Sequence, residues 1–246
     1  MQTDPSPDKK VILCLNSGSS SLKFSLYRLD AATEVAVANG AVERIGLSGG
    51  HLWIKGTDGG LLADIHQIFP THMSAAGGVS AAVKNLDFPK PDAAGHRVVH
   101  GGPHHSTSVT IDATLLAQTL IPFAPLHLPS AIVGIEAVAS RFPHLPQVAC
   151  FDTAFHRRMP DVAQRFSLPR HLWREGVRRY GFHGLSFEYI VTTLGAAARG
   201  RLIIAHLGNG ASLAAVLDTK RHRYVMPLVR GFSRRALRHS PNPGRI

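Results

Sequence analysis

Two polar turns, each set between apolar runs and far apart in the chain, constrain the fold more than any other feature. The first, LNSGSSSLKFSLY over Leu15–Tyr27, places one glycine and four serines between two apolar segments. A hairpin needs only a residue or two of Asn-Gly type to reverse, so this wedge is longer and richer in hydroxyls than folding requires. The second, AHLGNGASLAA from Ala205, sets two glycines around Asn209 at the end of an apolar strand. With helical segments mostly between them, the pair predicts a mixed α/β chain built by duplication.

The intervening pattern supports that class. VILCL and KFSLYRL read as strands flanking the serine loop, and EVAVANGAVERIG with GGHLWIKG continues a meander. MSAAGGVSAAVKNL and DATLLAQTLIPFA read as helices, the latter up to its proline. In LPSAIVGIEAVASRF, Pro129 is placed to start a helix, and Ile132, Ile135, Val138 and Phe142 recur at helical spacing. AGHRVVHGG is a short strand ending in a glycine turn, QVACFD a buried strand, HGLSFEYIVTTLGAAA a helix, and RLIIAHLGNGASLAAVL two strands around a tight turn.

The chain has 246 residues, 27 Lys and Arg against 16 Asp and Glu, and a formal charge of +11. Such a balance would suit a nucleic acid or an anionic membrane. Eight of the basic residues and no acid fall in 219–246, however, which leaves 19 bases against 16 acids elsewhere. Nucleic acid is therefore not expected as a partner for the bulk of the protein. No apolar stretch approaches the ~18 residues of a membrane span, and MQTDPSPDKK has no apolar segment behind its charges. The expected location is cytoplasmic, and Cys14 and Cys150, each inside an apolar run, are expected to be small buried hydrophobes rather than a disulfide.

Several short motifs carry chemistry. In the serine loop, small residues, successive amides and hydroxyls suit phosphate oxygens, and Lys23 adds a positive charge; the spacing is not that of a P-loop, and a solvated serine turn fits the same residues. HLGNG half-matches a dinucleotide fingerprint but also suits a plain β-turn. In GHRVVHGGPHH, His96 and His100 on one strand would stand ~13 Å apart, too far to share a zinc ion. Arg97 lies on the strand face opposite Val98 and offers a planar fork to a carboxylate or phosphate, or to a surface ion pair. Asp152 ends an apolar strand where ligands gather in α/β sheets, although Asp is also a common cap for the next element. His183 stands at a helix start, where the dipole disfavours the imidazolium.

Together, NSGSSSLKF, GHRVVHGG, FDTAFH, YGFHGLS and AHLGNGAS, in this order, closely resemble the acetate kinases, from about Val11 to Val216. The resemblance implies the duplicated actin-like, sugar-kinase-like (ribonuclease H-like) ATPase fold, in which two glycine-containing turns grip nucleotide phosphates. It implies a first domain over 11–150, near complete, and the start of a second, incomplete one over 151–218. Residues 1–10 read as a disordered lead and 219–246 as an atypical basic tail.

By the same likeness Asn16 would help hold Mg²⁺, while Ser19, Ser21 and Lys23 would face the phosphates of ATP. His206, Leu207, Gly208, Asn209 and Gly210 would form the second phosphate turn. Arg97 would hold the carboxylate of acetate, Asp152 would be the catalytic acid, and His183 would stabilise the transferring phosphoryl group. Val99, Leu126 and Phe182 match walls of the small methyl pocket. The reaction implied is ATP plus acetate giving ADP plus acetyl phosphate, in either direction, with propionate as an alternative substrate and a homodimer as the common assembly. A carboxylate with a reference pKa near ~4 is already ionised, so Asp152 is expected to organise Mg²⁺, its water or Arg97 rather than remove a proton.

After Asp218 the likeness fades, and the family's later segments, with a second arginine, an adenosine loop and a Mg²⁺-binding glutamate, are not found. The tail is expected to be out-of-frame translation of a truncated gene, leaving an inactive remnant. The rivals are a working kinase and a non-catalytic binding protein whose basic tail binds nucleic acid or an acidic surface.

Overall fold

Alternation in VILCL and LKFSL gives each strand one apolar face, and that face organises the first half of the chain. The computed structural model describes residues 9–30, 33–112, 115, 124–125, 128–208, 210–217 and, as backbone, 224–230. These fall into two units, Met1–Phe151 and Asp152–Ile246.

In the first unit, β1 (Lys10–Ser17), β2 (Ser21–Leu29), β3 (Glu34–Glu43), β4 (His51–Gly56) and β5 (Leu61–His66) form an antiparallel meander. β1 also pairs in parallel with β6 (Ala93–Val98), β6 in parallel with β8 (Gln147–Phe151), and the two-residue β7 (Val109–Thr110) runs antiparallel to β8. The eight-stranded sheet therefore runs β5-β4-β3-β2-β1-β6-β8-β7. Parallel neighbours require crossovers. The helix α1 (His72–Asn85) precedes β6, and α2 (Leu128–Arg141) precedes β8.

Both helices cover one face of the sheet. Ala75, Val79 and Ala82 of α1 and Val138 of α2 share a core with Val11, Leu13, Leu15, Leu22, Phe24 and Leu26. Each large side chain buried there contributes roughly 2 kcal/mol. A reciprocal cap starts α1: the Thr71 hydroxyl accepts from the Ser74 amide and the Ser74 hydroxyl accepts from the Thr71 amide, both at 3.1 Å. Helix α2 begins one residue before Pro129, as the proline predicts, and buries Leu128, Ala131, Ile135 and Val138 while Ile132 is only half-buried. Most of DATLLAQTLIPFA lies outside the described residues.

Two details differ from expectation. β1 starts at Lys10, inside the segment read as a lead, whose residues 1–8 lie outside the described residues. Cys14 and Cys150 are free and half-buried rather than in the core, because alternation sends Leu13, Leu15, Ala149 and Phe151 to the helices and turns the cysteines to the other face. Burial there pushes the Cys14 thiol up, with Cys150 and Glu34 adding smaller repulsions.

The second unit opens with a 3-10 turn at Ala154–His156 and the short helices α3 (Asp161–Gln164) and α4 (Arg170–Arg174). Then come α5 (Gly184–Leu194), a further 3-10 turn at Gly195–Ala198, and the strands β9 (Arg201–Leu207), β10 (Ala211–Leu217) and β11 (Tyr224–Arg230), which form an antiparallel sheet in the order β11-β10-β9. Its core joins Phe155, Phe187 and Val191 to Ile204, Ala214 and Val216. β11 lies inside the segment set apart by its charge and pairs with β10 from Ala211↔Arg230 to Leu217↔Tyr224. On β9, Ile203 and Leu207 are 75% and 80% exposed, as expected of a sheet with an uncovered apolar face. Among the described residues, no helix is long and apolar enough to cross a membrane.

Candidate functional site

The candidate residues fall into two groups, one in each unit. In the first unit, β1, β6 and β8 are parallel, so their carboxyl ends share one edge of the sheet, where ligands of open α/β sheets collect. Register then sets the neighbours. Asn16 stands opposite Lys23 across the β1–β2 pair, and the β1–β6 register, which aligns Leu15 with His96, brings Arg97 beside Asn16. All three lie on the sheet face away from α1 and α2. Arg97 Nη1 donates to Asn16 Oδ1 at 3.2 Å. The result is a row of two cations flanking an amide, suited to an anion.

The serine turn closes this row at the end of β1. Gly18 N–H donates to the Ser21 carbonyl at 2.8 Å, and Ser19 at its tip is exposed. From α1, His72 Nε2–H donates to the Gly18 carbonyl at 2.7 Å and fixes the turn from the side. Sequence reading missed His72, because nothing in its neighbourhood marks a residue 54 positions from the glycine it holds. Val99, just beyond β6, is half-buried; Leu126 lies outside the described residues.

The two histidines flanking Arg97 serve the backbone and core. His96 Nε2–H donates to Gln147 Oε1 at 2.7 Å, and His100 Nδ1 accepts from the Gly102 amide at 2.8 Å. Burial drives the pKa of each down to about 4, so both rings are neutral at physiological pH.

In the second unit, Asp152 directly follows β8 in the chain and is 1% exposed. Its carbonyl accepts from Gly184 N–H at 3.0 Å, which docks the start of α5 on the Asp152 backbone. A Cβ on Gly184 would collide with that oxygen, so the glycine of YGFHGLS is there for close approach. Gly181 similarly makes room for the ring of His156, whose Nε2–H donates to the Phe182 carbonyl at 3.1 Å. Burial lowers His156 to a pKa of about 4, opposed by the hydrogen bond to the Phe182 carbonyl and then by the Asp152 carboxylate, and reinforced by His183.

His183 itself caps α5 with φ 58° and ψ 25°, a left-handed conformation that costs an L-residue about 1 kcal/mol or more. Strained backbone of this kind collects at functional sites. Three contacts hold it. Nδ1 and the Ser212 hydroxyl are hydrogen-bonded at 2.8 Å, and the ring stacks on His206 with centroids 4.1 Å apart. On the third side, its Cε1 and Nε2 would meet a Cβ on Gly210 at 3.3 and 3.5 Å. His206 is anchored in turn by Ser186 at 3.1 Å. The second glycine turn therefore wraps His183, with Leu207 and Gly208 exposed beside it; Asn209 lies outside the described residues. Ser212 and Ser186 escaped sequence reading, although Ser212 closes the AHLGNGAS motif and Ser186 lies inside HGLSF.

Asn16 is a modest metal ligand by itself. Its one carboxamide oxygen already accepts from Arg97, and a hard cation such as Mg²⁺ prefers carboxylates, phosphate oxygens and water. The donor set fits an ion that arrives coordinated to a polyphosphate, with Asn16 contributing one oxygen.

The family model of the Acetokinase family matches residues 11–228, which carries the likeness ten residues past Asp218 and into β11. The acetate kinase of Methylocella silvestris is 45% identical over 226 residues, covering 85% of this chain and 56% of the relative. Among solved structures, Porphyromonas gingivalis acetate kinase matches with a TM-score of 0.76 and 35% identity, over 88% of this chain and 56% of that one. A propionate kinase from Francisella tularensis matches with a TM-score of 0.75 and 36% identity, over 85% and 55%. The chain spans about half the length of the relatives it matches.

Proposed function

This chain belongs to the acetokinase family, and from that premise we propose that its residues serve phosphoryl transfer between ATP and a short carboxylate, acetate or propionate. The observation that carries this reading is the row of Lys23, Asn16 and Arg97 at the carboxyl end of the parallel strands. Acetate and ATP are both anions, and catalysis of transfer between them is chiefly positioning and charge neutralisation.

In this reading Arg97 binds the carboxylate, and its bond to Asn16 sets the plane of the guanidinium. The serine turn, with Ser19, Ser21 and Lys23, receives phosphate oxygens from the nucleotide. In the second unit, taken by itself, the turn from His206 to Gly210 has the same role toward phosphate, and His183 is the donor to the phosphoryl group in flight. Val99 and Leu126 in the first unit, and Phe182 in the second, are the residues that the family likeness assigns to the alkyl group. Mg²⁺ entering with ATP would be met by Asn16 and would offset phosphate charge. The acetate oxygen is ionised at neutral pH and needs no base, so Asp152 organises charge rather than taking a proton.

A second reading is binding without turnover, favoured by the exposed Ile203 and Leu207 on the three-stranded sheet of the second unit. Acetyl phosphate formation by the purified chain from ATP, Mg²⁺ and acetate, trapped as the hydroxamate, separates the two. Product that disappears in Arg97→Ala supports transfer. A thermal shift with ATP in the absence of product supports binding alone, and neither response refutes both.

A further inference from the structure

We propose that His51, Asp64 and His66 form a surface site for a divalent transition metal of the Zn²⁺, Cu²⁺ and Ni²⁺ class, separate from the phosphate-binding row. The three residues lie on the β4–β5 hairpin at the edge of the first unit's sheet. The β4–β5 register pairs His51 with His66 directly and Trp53 with Asp64, so all three side chains emerge on one face. One nitrogen from each ring and one carboxylate oxygen already lie within 4.8 Å of one another.

The finer geometry gathers both rings on one carboxylate oxygen. Nε2 of His51 is 2.6 Å from Asp64 Oδ1, and Nε2 of His66 is 3.4 Å from the same oxygen. The rings stack in parallel, centroids 4.3 Å apart and planes inclined by 1°, so one ring must turn about its Cβ–Cγ bond for the in-plane lone pairs of both to meet a single ion. Ligand atoms around a tetrahedral Zn²⁺ with bonds near 2.0 Å stand about 3.3 Å apart. His66 and Asp64 already meet that spacing, and His51 reaches it by giving up its short hydrogen bond. Two imidazoles and one carboxylate with an open position for water are a donor set for Zn²⁺, Cu²⁺ or Ni²⁺, not for Mg²⁺ or Ca²⁺.

Support from outside the triad is present. Register places Glu43 of β3 opposite His51, and its carboxylate lies 3.9 Å from His51 Nδ1, the nitrogen left over when Nε2 binds metal. A carboxylate behind a ligating histidine fixes the ring and raises its basicity. The site is distinct from Asn16. Asp64 lies in the same cross-strand row as Lys23 and Asn16 but four strands from the latter, roughly 19 Å at the usual strand spacing. Binding would clip an edge hairpin together, because a metal held by the folded state alone stabilises it.

The test uses the full chain with Zn²⁺ alone, in competition with a chromophoric chelator. One ion per chain is expected to bind, and His51→Ala/His66→Ala should lose it. Glu43→Gln should weaken it by about tenfold, as for an outer carboxylate. Equal affinity and stoichiometry in the wild type and the double variant would overturn the proposal. A second measurement needs no variant: equimolar Zn²⁺ should shield both His51 and His66 from diethylpyrocarbonate, read by mass spectrometry, and unchanged labelling of these two would also overturn it.

Discussion

Arg97 and Asn16 are joined across parallel strands by a 3.2 Å hydrogen bond from the guanidinium to the amide oxygen. Lys23 stands on the other side of the same amide, in register across β1 and β2. Side chains from three strands, Arg97 being 81 positions from Asn16, thus form one row, and its consequences can be measured.

Arg97→Ala should raise the KM for acetate, or its dissociation constant, by about thirtyfold, since a charge-assisted hydrogen bond is worth roughly 2 kcal/mol. Asn16→Ala should produce a smaller rise, because toward acetate it acts only by freeing the guanidinium to turn. Steady-state kinetics over an acetate series, or titration by calorimetry, gives both values. Equal effects of the two substitutions would contradict the assigned roles.

Ser212→Ala removes the 2.8 Å partner that holds His183 Nδ1. In the proposed function His183 serves the transferring group rather than the carboxylate. The variant should therefore lose about tenfold in kcat while the acetate KM stays put. A change confined to KM would place His183 on the carboxylate side instead.

Gly184→Ala should destabilise the second unit by about 1–3 kcal/mol, because the new methyl would collide with the Asp152 carbonyl oxygen. Gly77→Ala, inside α1 where a Cβ meets nothing within 4 Å, should be neutral or stabilising by about 1 kcal/mol. Urea midpoints of the two variants against wild type report the contrast.

Acid should weaken the fold through its buried histidines. His96 has a folded pKa of about 4 against 6.5 when unfolded, so between these values the unfolded chain binds the extra proton. Stability from this group is fully present above pH 6.5 and is lost as pH falls toward 4, by roughly 2 kcal/mol at pH 5. His96→Gln, which can still donate an N–H to Gln147, should flatten the difference in urea stability between pH 7 and pH 5. An undiminished difference would mean that other groups carry the acid response.

Much of this was legible in the chain itself. Alternation over VILCL and LKFSL, the glycines of GNG and the helical spacing of Ile135 and Val138 are local properties, set by which side chains leave water and which backbone angles are allowed. They determined the strands, the helix α2, the two polar turns and, through the string of motifs, the family. They could not determine which residues meet. His72 on the Gly18 carbonyl, Ser212 on His183 and His66 beside His51 are pairings between separate elements, fixed by strand register and helix packing. Cys14 illustrates the limit in one residue: its apolar neighbours predict a core position, but a period of two turns it to the opposite face, and only the placement of α1 and α2 decides which face is the core.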